Sequence, residues 1–146
     1  MDVTGGYRFL DHMTDAVIEA YGTTLEEAFV HSARGLVDTM VDLSKVLPTV
    51  EVKINAQGHD LESLLFDWLD KVMLLMVADG IATSEFSVKI QKLHDNNSYL
   101  LNGIVKGEKI NLARHHYKVE VKAITYHEML IKQEKGRVTA RFLVDL

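Results

Sequence analysis

The sequence predicts an α+β fold: one domain, residues 1–146, with two amphipathic helices packed on mostly antiparallel sheet. Three observations predict it. Two segments repeat apolar residues at helical spacing, and about seven others alternate apolar and polar residues at strand spacing. Most links between the strands are too short for a helical crossover, which leaves antiparallel pairing. A length of 146 residues suits one core.

Residues 16–21 read as a short strand ending at Gly22, and residues 9–15 as the loop ahead of it. Thr24 opens the first helix, with Glu27 three residues on to complete a capping box. Leu25, Ala28, Phe29, Leu36, Val37 and Met40 share its apolar face. Beyond Pro48, Val50, Val52 and Ile54 alternate with Glu51, Lys53 and Asn55, as a half-buried strand requires. Asp60 caps the second helix, whose Leu61, Leu64, Leu65, Trp68, Leu69, Val72, Leu75 and Met76 give the strongest helical pattern in the chain. That helix ends near Asp79-Gly80. Phe86, Val88 and Ile90 form a strand, Asp95-Asn96-Asn97 a turn, and Tyr99, Leu101, Gly103 and Val105 a return strand that stops at Gly107. Residues 119–126 alternate again. Residues 129–132 and 138–144 make a final hairpin across Glu134-Lys135-Gly136-Arg137.

Composition narrows the function. Apolar residues make up 47% of the chain and charged residues 25%, the balance of a soluble globular protein. No apolar run approaches a membrane span, and the first residues lack the regions of a signal peptide, so a cytoplasmic protein without a membrane partner is expected. With no cysteine, disulfides, thiol catalysis and cysteine–zinc sites are excluded. The net charge of −5 argues against tight nucleic-acid binding by this chain alone. The charge is uneven, however. Residues 1–108 carry 8 Lys/Arg against 17 Asp/Glu, and residues 109–146 carry 8 against 4. The C-terminal part is either a basic hairpin in a mixed surface or a face toward an acidic or anionic partner.

Standard catalytic patterns are missing. Neither kind of glycine-rich phosphate loop occurs, nor a GxSxG elbow. His127-Glu128 begins like HExxH, but Ile131 stands where the second histidine must be, and the segment alternates like a strand. His115-His116 are adjacent, so one site could hardly use both.

Acidic side chains point elsewhere. Residues 9–15 place Asp11, His12 and Asp15 together in the loop ahead of the first clear strand, which is either turn chemistry or a site. At the other end, the apolar run 138–144 leads into Asp145 and Leu146. If the strand carries Asp145 inward, two neighbouring carboxyl groups repel unless a cation neutralises them. An all-oxygen site suits calcium, magnesium or manganese and does not suit zinc. The alternative is a frayed terminus that contributes little packing. Spacing alone cannot bring Asp15 and Asp145 together.

Across nearly its whole length the chain resembles the archease family. Phe9-Leu10-Asp11-His12-Met13-Thr14-Asp15 and the following Ala20-Tyr21-Gly22-Thr23-Thr24 carry the resemblance, with Gly58-His59-Asp60-Leu61-Glu62-Ser63, Glu120-Val121-Lys122-Ala123 and the terminal Val144-Asp145-Leu146. It implies a metal-binding accessory factor, not itself an enzyme, for the GTP-dependent tRNA-splicing RNA ligase of the RtcB type. Such a factor promotes guanylylation of the ligase and lets it turn over repeatedly. The resemblance assigns a divalent cation, calcium first and then magnesium or manganese, to Asp15, Asp145 and Leu146, the leucine acting through a main-chain or terminal oxygen. His12 and Lys122 become candidates for supporting the metal ligands or facing the ligase. The family usually reads His-Thr-Ala-Asp where this chain has His12-Met13-Thr14-Asp15, so the hydroxyl has moved by one residue. Two other readings stay open: a metal-dependent hydrolase, and a general chaperone or modulator of RNA-modifying enzymes with a structural metal.

Overall fold

The strand expected at residues 16–21 is the second in the chain, not the first. The computed structural model describes residues 4–10 and 14–146, and Gly6–Leu10 already forms β1, hydrogen-bonded to β2 (Asp15–Gly22). Thus Phe9 and Leu10, expected in a loop, lie in a strand. Thr24 caps α1 (Leu25–Met40), accepting from the Glu27 N–H at 3.1 Å. The Glu27 carboxylate reaches one residue further back than a simple capping box, taking the Thr23 N–H and hydroxyl, each at 2.7 Å. A short 3-10 turn, Leu43–Lys45, leads to β3 (Val50–Gly58). Asp60 and Ser63 cap α2 (Leu61–Val77) reciprocally, each side chain accepting from the other residue's N–H.

β4 (Ile81–Lys92) and β5 (Tyr99–Lys109) follow, the latter two residues longer than Gly107 suggested. Residues 119–122 are not strand. The two segments expected at 119–126 and 129–132 are instead one irregular strand, β6 (Ala123–Glu134), paired with β7 (Arg137–Asp145). Two sheets result, ordered β1-β2-β7-β6 and β3-β5-β4, with every pairing antiparallel. This is the expected α+β class.

Each helix touches both sheets, α1 through β2 and β4 and α2 through β3 and β6, so the core fills the space the helices share. Trp68, Phe29, Phe142, Ile18, Leu36 and Leu64 are its largest fully buried side chains. The Trp68 indole N–H donates to the Phe29 carbonyl at 3.0 Å, which ties α2 to α1 and satisfies a polar atom in an apolar interior. Among the described residues no helix is long and apolar enough to cross a membrane.

Candidate metal centre

β7 decides where Asp145 points. Its even-numbered residues Val138, Ala140, Phe142 and Val144 are buried in the core, so the two-residue period turns Asp145 to the opposite face. Asp145 is exposed there and shares that face with Arg137 and Arg141. The condition raised from sequence, Asp145 carried inward, is not met: Val144 takes the core position. β2 has the same parity, with Ile18 and Ala20 inward and Asp15, Val17, Glu19 and Tyr21 outward.

Strand order then joins the two ends of the chain. β2 pairs directly with β7, and Asp15 is the register partner of Asp145. Ala123 of β6 faces Asp145 from the other side, and the Lys122 N–H donates to the Asp145 carbonyl at 2.8 Å. The Leu146 side chain is half-buried against the core. The end of the chain is thus packed and hydrogen-bonded, contrary to the frayed alternative.

The donor chemistry fits a hard cation. Directly opposed residues of an antiparallel pair hold their Cβ atoms roughly 4.5–5.5 Å apart on one face, close enough for both carboxylates to reach one ion. The Asp145 carbonyl is already taken by Lys122, so Asp145 offers its carboxylate, and Leu146 would add a main-chain oxygen. Among the described residues no three carboxylate, imidazole or thiol side chains gather as a metal cluster. All-oxygen donors match calcium, magnesium or manganese. Lys122 is exposed beside the pair. His12 lies outside the described residues.

The row of β2 and β7 four residues further along binds charge differently. Glu19 is buried on the outward face, yet Arg8 approaches it at 2.8 Å and Arg141 at 3.2 Å. Burial raises the Glu19 carboxyl, but hydrogen bonds from Arg141 and Arg8 outweigh it and hold the group below the usual carboxylate range. This carboxylate is neutralised by protein cations, and its two arginines sit where no metal ligand is needed. A glutamate inside the apolar run of residues 16–21 was the signal for it.

Sequence reading also missed the cluster at the end of β5. His115 is fully buried, and its ring lies 2.6 Å from the Glu108 carboxylate, which Arg114 also pairs. His116 is exposed and has φ 55°. The two histidines therefore serve different environments, as their adjacency suggested, although they lie in a turn and not in a strand.

Comparison with known proteins agrees with this architecture. The model of the archease protein family (MTH1598/TM1083) matches residues 7–146. The archease of Sulfolobus acidocaldarius is 41% identical over 140 residues, covering 96% of this chain and 98% of its own. That of Pyrococcus furiosus is 40% identical over 137 residues, covering 93% and 95%. The solution structure of Methanobacterium thermoautotrophicum protein 1598 superposes with a TM-score of 0.77 at 35% identity, over 97% of this chain and 99% of that one. A crystal structure of a Thermotoga maritima archease, described as a possible chaperone, shares the fold at a TM-score of 0.59 and 20% identity, over 94% of each chain. By the span and the identity of these matches, the chain belongs to the archease family.

Proposed function

We propose that this protein is an accessory factor, not a catalyst, that activates the GTP-dependent tRNA-splicing RNA ligase through a divalent cation held at Asp15, Asp145 and Leu146. One observation carries the reading: strand order makes Asp15 and Asp145 direct partners at one end of the two central strands, next to an exposed Lys122. Two carboxylates and a main-chain oxygen are fewer donors than the six to eight that calcium takes. A cation held there keeps positions for oxygens from outside the chain, such as a nucleotide phosphate or a carboxylate of the ligase. When bound, the cation supplies a positive charge that such oxygens can share. Asp15 and Asp145 fix where that charge sits, and Lys122 extends it toward the partner surface. The net charge of −5 supports a protein partner over RNA bound by this chain alone.

The test is ligase guanylylation and multiple-turnover joining of tRNA halves, with and without this protein. The wild type should accelerate both, and Asp15→Asn and Asp145→Asn should each lose most of the effect. A wild type that leaves the ligase unchanged in the presence of calcium, magnesium and manganese would refute the proposal.

A further inference from the structure

Both outer edges of the three-stranded sheet are met by a carboxylate from a helix, and β3 carries the fuller arrangement. β3 stands at one end of the order β3-β5-β4. Along a strand, the main-chain groups of successive residues point alternately to one neighbour and to the other side. Asn55 and Gln57 turn theirs away from β5, as Glu51 and Lys53 do by the same alternation. Two of these four residues are covered. The Gln57 N–H donates to Asp67 Oδ2 of α2 at 3.0 Å, and the Asn55 carbonyl accepts from Lys71 Nζ at 2.7 Å. Lys71, one turn beyond Asp67, also donates to that same carboxylate oxygen at 3.1 Å. In a parallel ladder, one residue of a neighbouring strand would accept from the Gln57 N–H and donate to the Asn55 carbonyl. The Asp67 carboxylate and the Lys71 ammonium stand in for that residue. β4, at the other end of the sheet, carries a weaker version, in which the Ile90 N–H donates to Glu26 Oε2 of α1 at 3.4 Å.

An open edge strand is a template for pairing with another chain. With Asn55 and Gln57 covered, β3 offers outward groups only at Glu51 and Lys53, too few for a stable ladder. The edge itself suits a second copy of the chain. Two β3 strands related by a twofold axis at Ile54 would pair antiparallel, with Lys53 opposite Asn55 and Glu51 opposite Gln57. No like charges are opposed in that register, so charge alone does not forbid it. Pairing of this kind uses all four outward residues and requires Asp67 and Lys71 to let go. We propose that the Asp67–Lys71 pair is a built-in block that keeps β3 from pairing with β3 of a second copy of this chain. The block is independent of the metal centre, whose Asp15 and Asp145 belong to the other sheet.

Asp67→Ala combined with Lys71→Ala tests this. Alanine is the strongest helix former and both side chains are partly exposed, so α2 persists. In dilute solution the Gln57 amide should exchange its hydrogen about tenfold faster than in the wild type, as expected for the loss of one hydrogen bond. As the concentration rises, the doubly substituted protein should form a dimer in sedimentation that the wild type does not form, and the Gln57 amide should regain protection. Adding Lys53→Pro removes an outward N–H at a sheet edge, where proline is tolerated, and should abolish that dimer. Identical sedimentation of the doubly substituted protein and the wild type would overturn the proposal. So would association that survives Lys53→Pro, or that leaves the Gln57 amide in fast exchange, because either would place the contact on another face.

Discussion

Asp15 of β2 stands directly opposite Asp145 of β7, and the Lys122 N–H holds the Asp145 carbonyl from the other side. Like charges directly opposed across a strand pair destabilise the sheet. A cation between them reverses that sign.

Calcium or manganese should therefore raise the melting temperature. A ligand at a hundred times its Kd stabilises by about 2.7 kcal/mol, which for a domain of this size is roughly 5–10 °C. Asp15→Asn and Asp145→Asn should each abolish the metal-dependent part of the rise. Glu19→Gln, whose partners are Arg8 and Arg141, should keep it. Full retention of the shift in both aspartate variants would place the cation elsewhere.

The local patterns that build this site were legible, and the long-range ones were not. The period of two at residues 138–144 and the helical faces around Phe29 and Trp68 give β7, α1 and α2 directly. β1 escaped because five residues with a half-exposed Phe9 carry too short an alternation. β6 read as two strands for a definite reason. Thr125 and Leu130 are five steps apart, while their partners Leu143 and Arg141 are two apart, so three extra residues reverse the parity midway. Glu128 in that bulge has φ 58°, and Tyr126 leaves the sheet to stack on Phe66 at 4.4 Å. The pairing of Asp15 with Asp145 depends on β2 lying beside β7. That neighbourhood is a property of sheet order, which no spacing along the chain encodes.

Gly107 marks a place where two strands come too close for a side chain. A Cβ there would run into the Ala82 carbonyl, beside the register shift between Thr83 and Glu85 in β4. Gly107→Ala should cost about 3 kcal/mol by forcing β4 and β5 apart. Gly136→Ala, at φ 78° but with open space around it, should cost only about 1 kcal/mol. Urea unfolding followed by Trp68 fluorescence compares them. Equal midpoints would mean that β4 yields at Ala82.

The Glu108–His115 pair should hold the segment that follows β5 in place. The His115 Nδ1 accepts from the Asn111 N–H at 3.0 Å, so the proton sits on Nε2 and is donated to Glu108. Glu108 also accepts from the Leu47 N–H at 3.2 Å. Glu108→Ala would strand these donors beside a buried ring, at a cost of about 3 kcal/mol. In a double-mutant cycle His115→Ala should couple to it by more than about 1 kcal/mol. Additive effects would show that the two side chains act separately.

His31 should make the fold sensitive to mild acid. Its ring is fully buried on α1, with Nε2–H donating to the Thr4 carbonyl and Nδ1 accepting from Arg34, both at 3.0 Å. Only the neutral ring can do both. Burial pushes its pKa down and the Arg34 charge adds to the effect, while the Thr4 carbonyl and Glu27 oppose it without reversing the direction. The folded pKa therefore lies below the ordinary value of about 6.5. Between the two values the unfolded chain binds a proton that the folded chain refuses, so stability rises with pH. His31 imposes no penalty well above pH 6.5, and stability falls progressively as the pH drops from there toward the folded pKa. His31→Gln keeps a donor for the Thr4 carbonyl and cannot titrate. The wild type should lose stability from about pH 7 to pH 5 more steeply than this variant, measured as urea midpoints at fixed salt. Because carboxylates and His115 titrate in both proteins, the difference between the curves isolates His31, and parallel curves would refute the assignment.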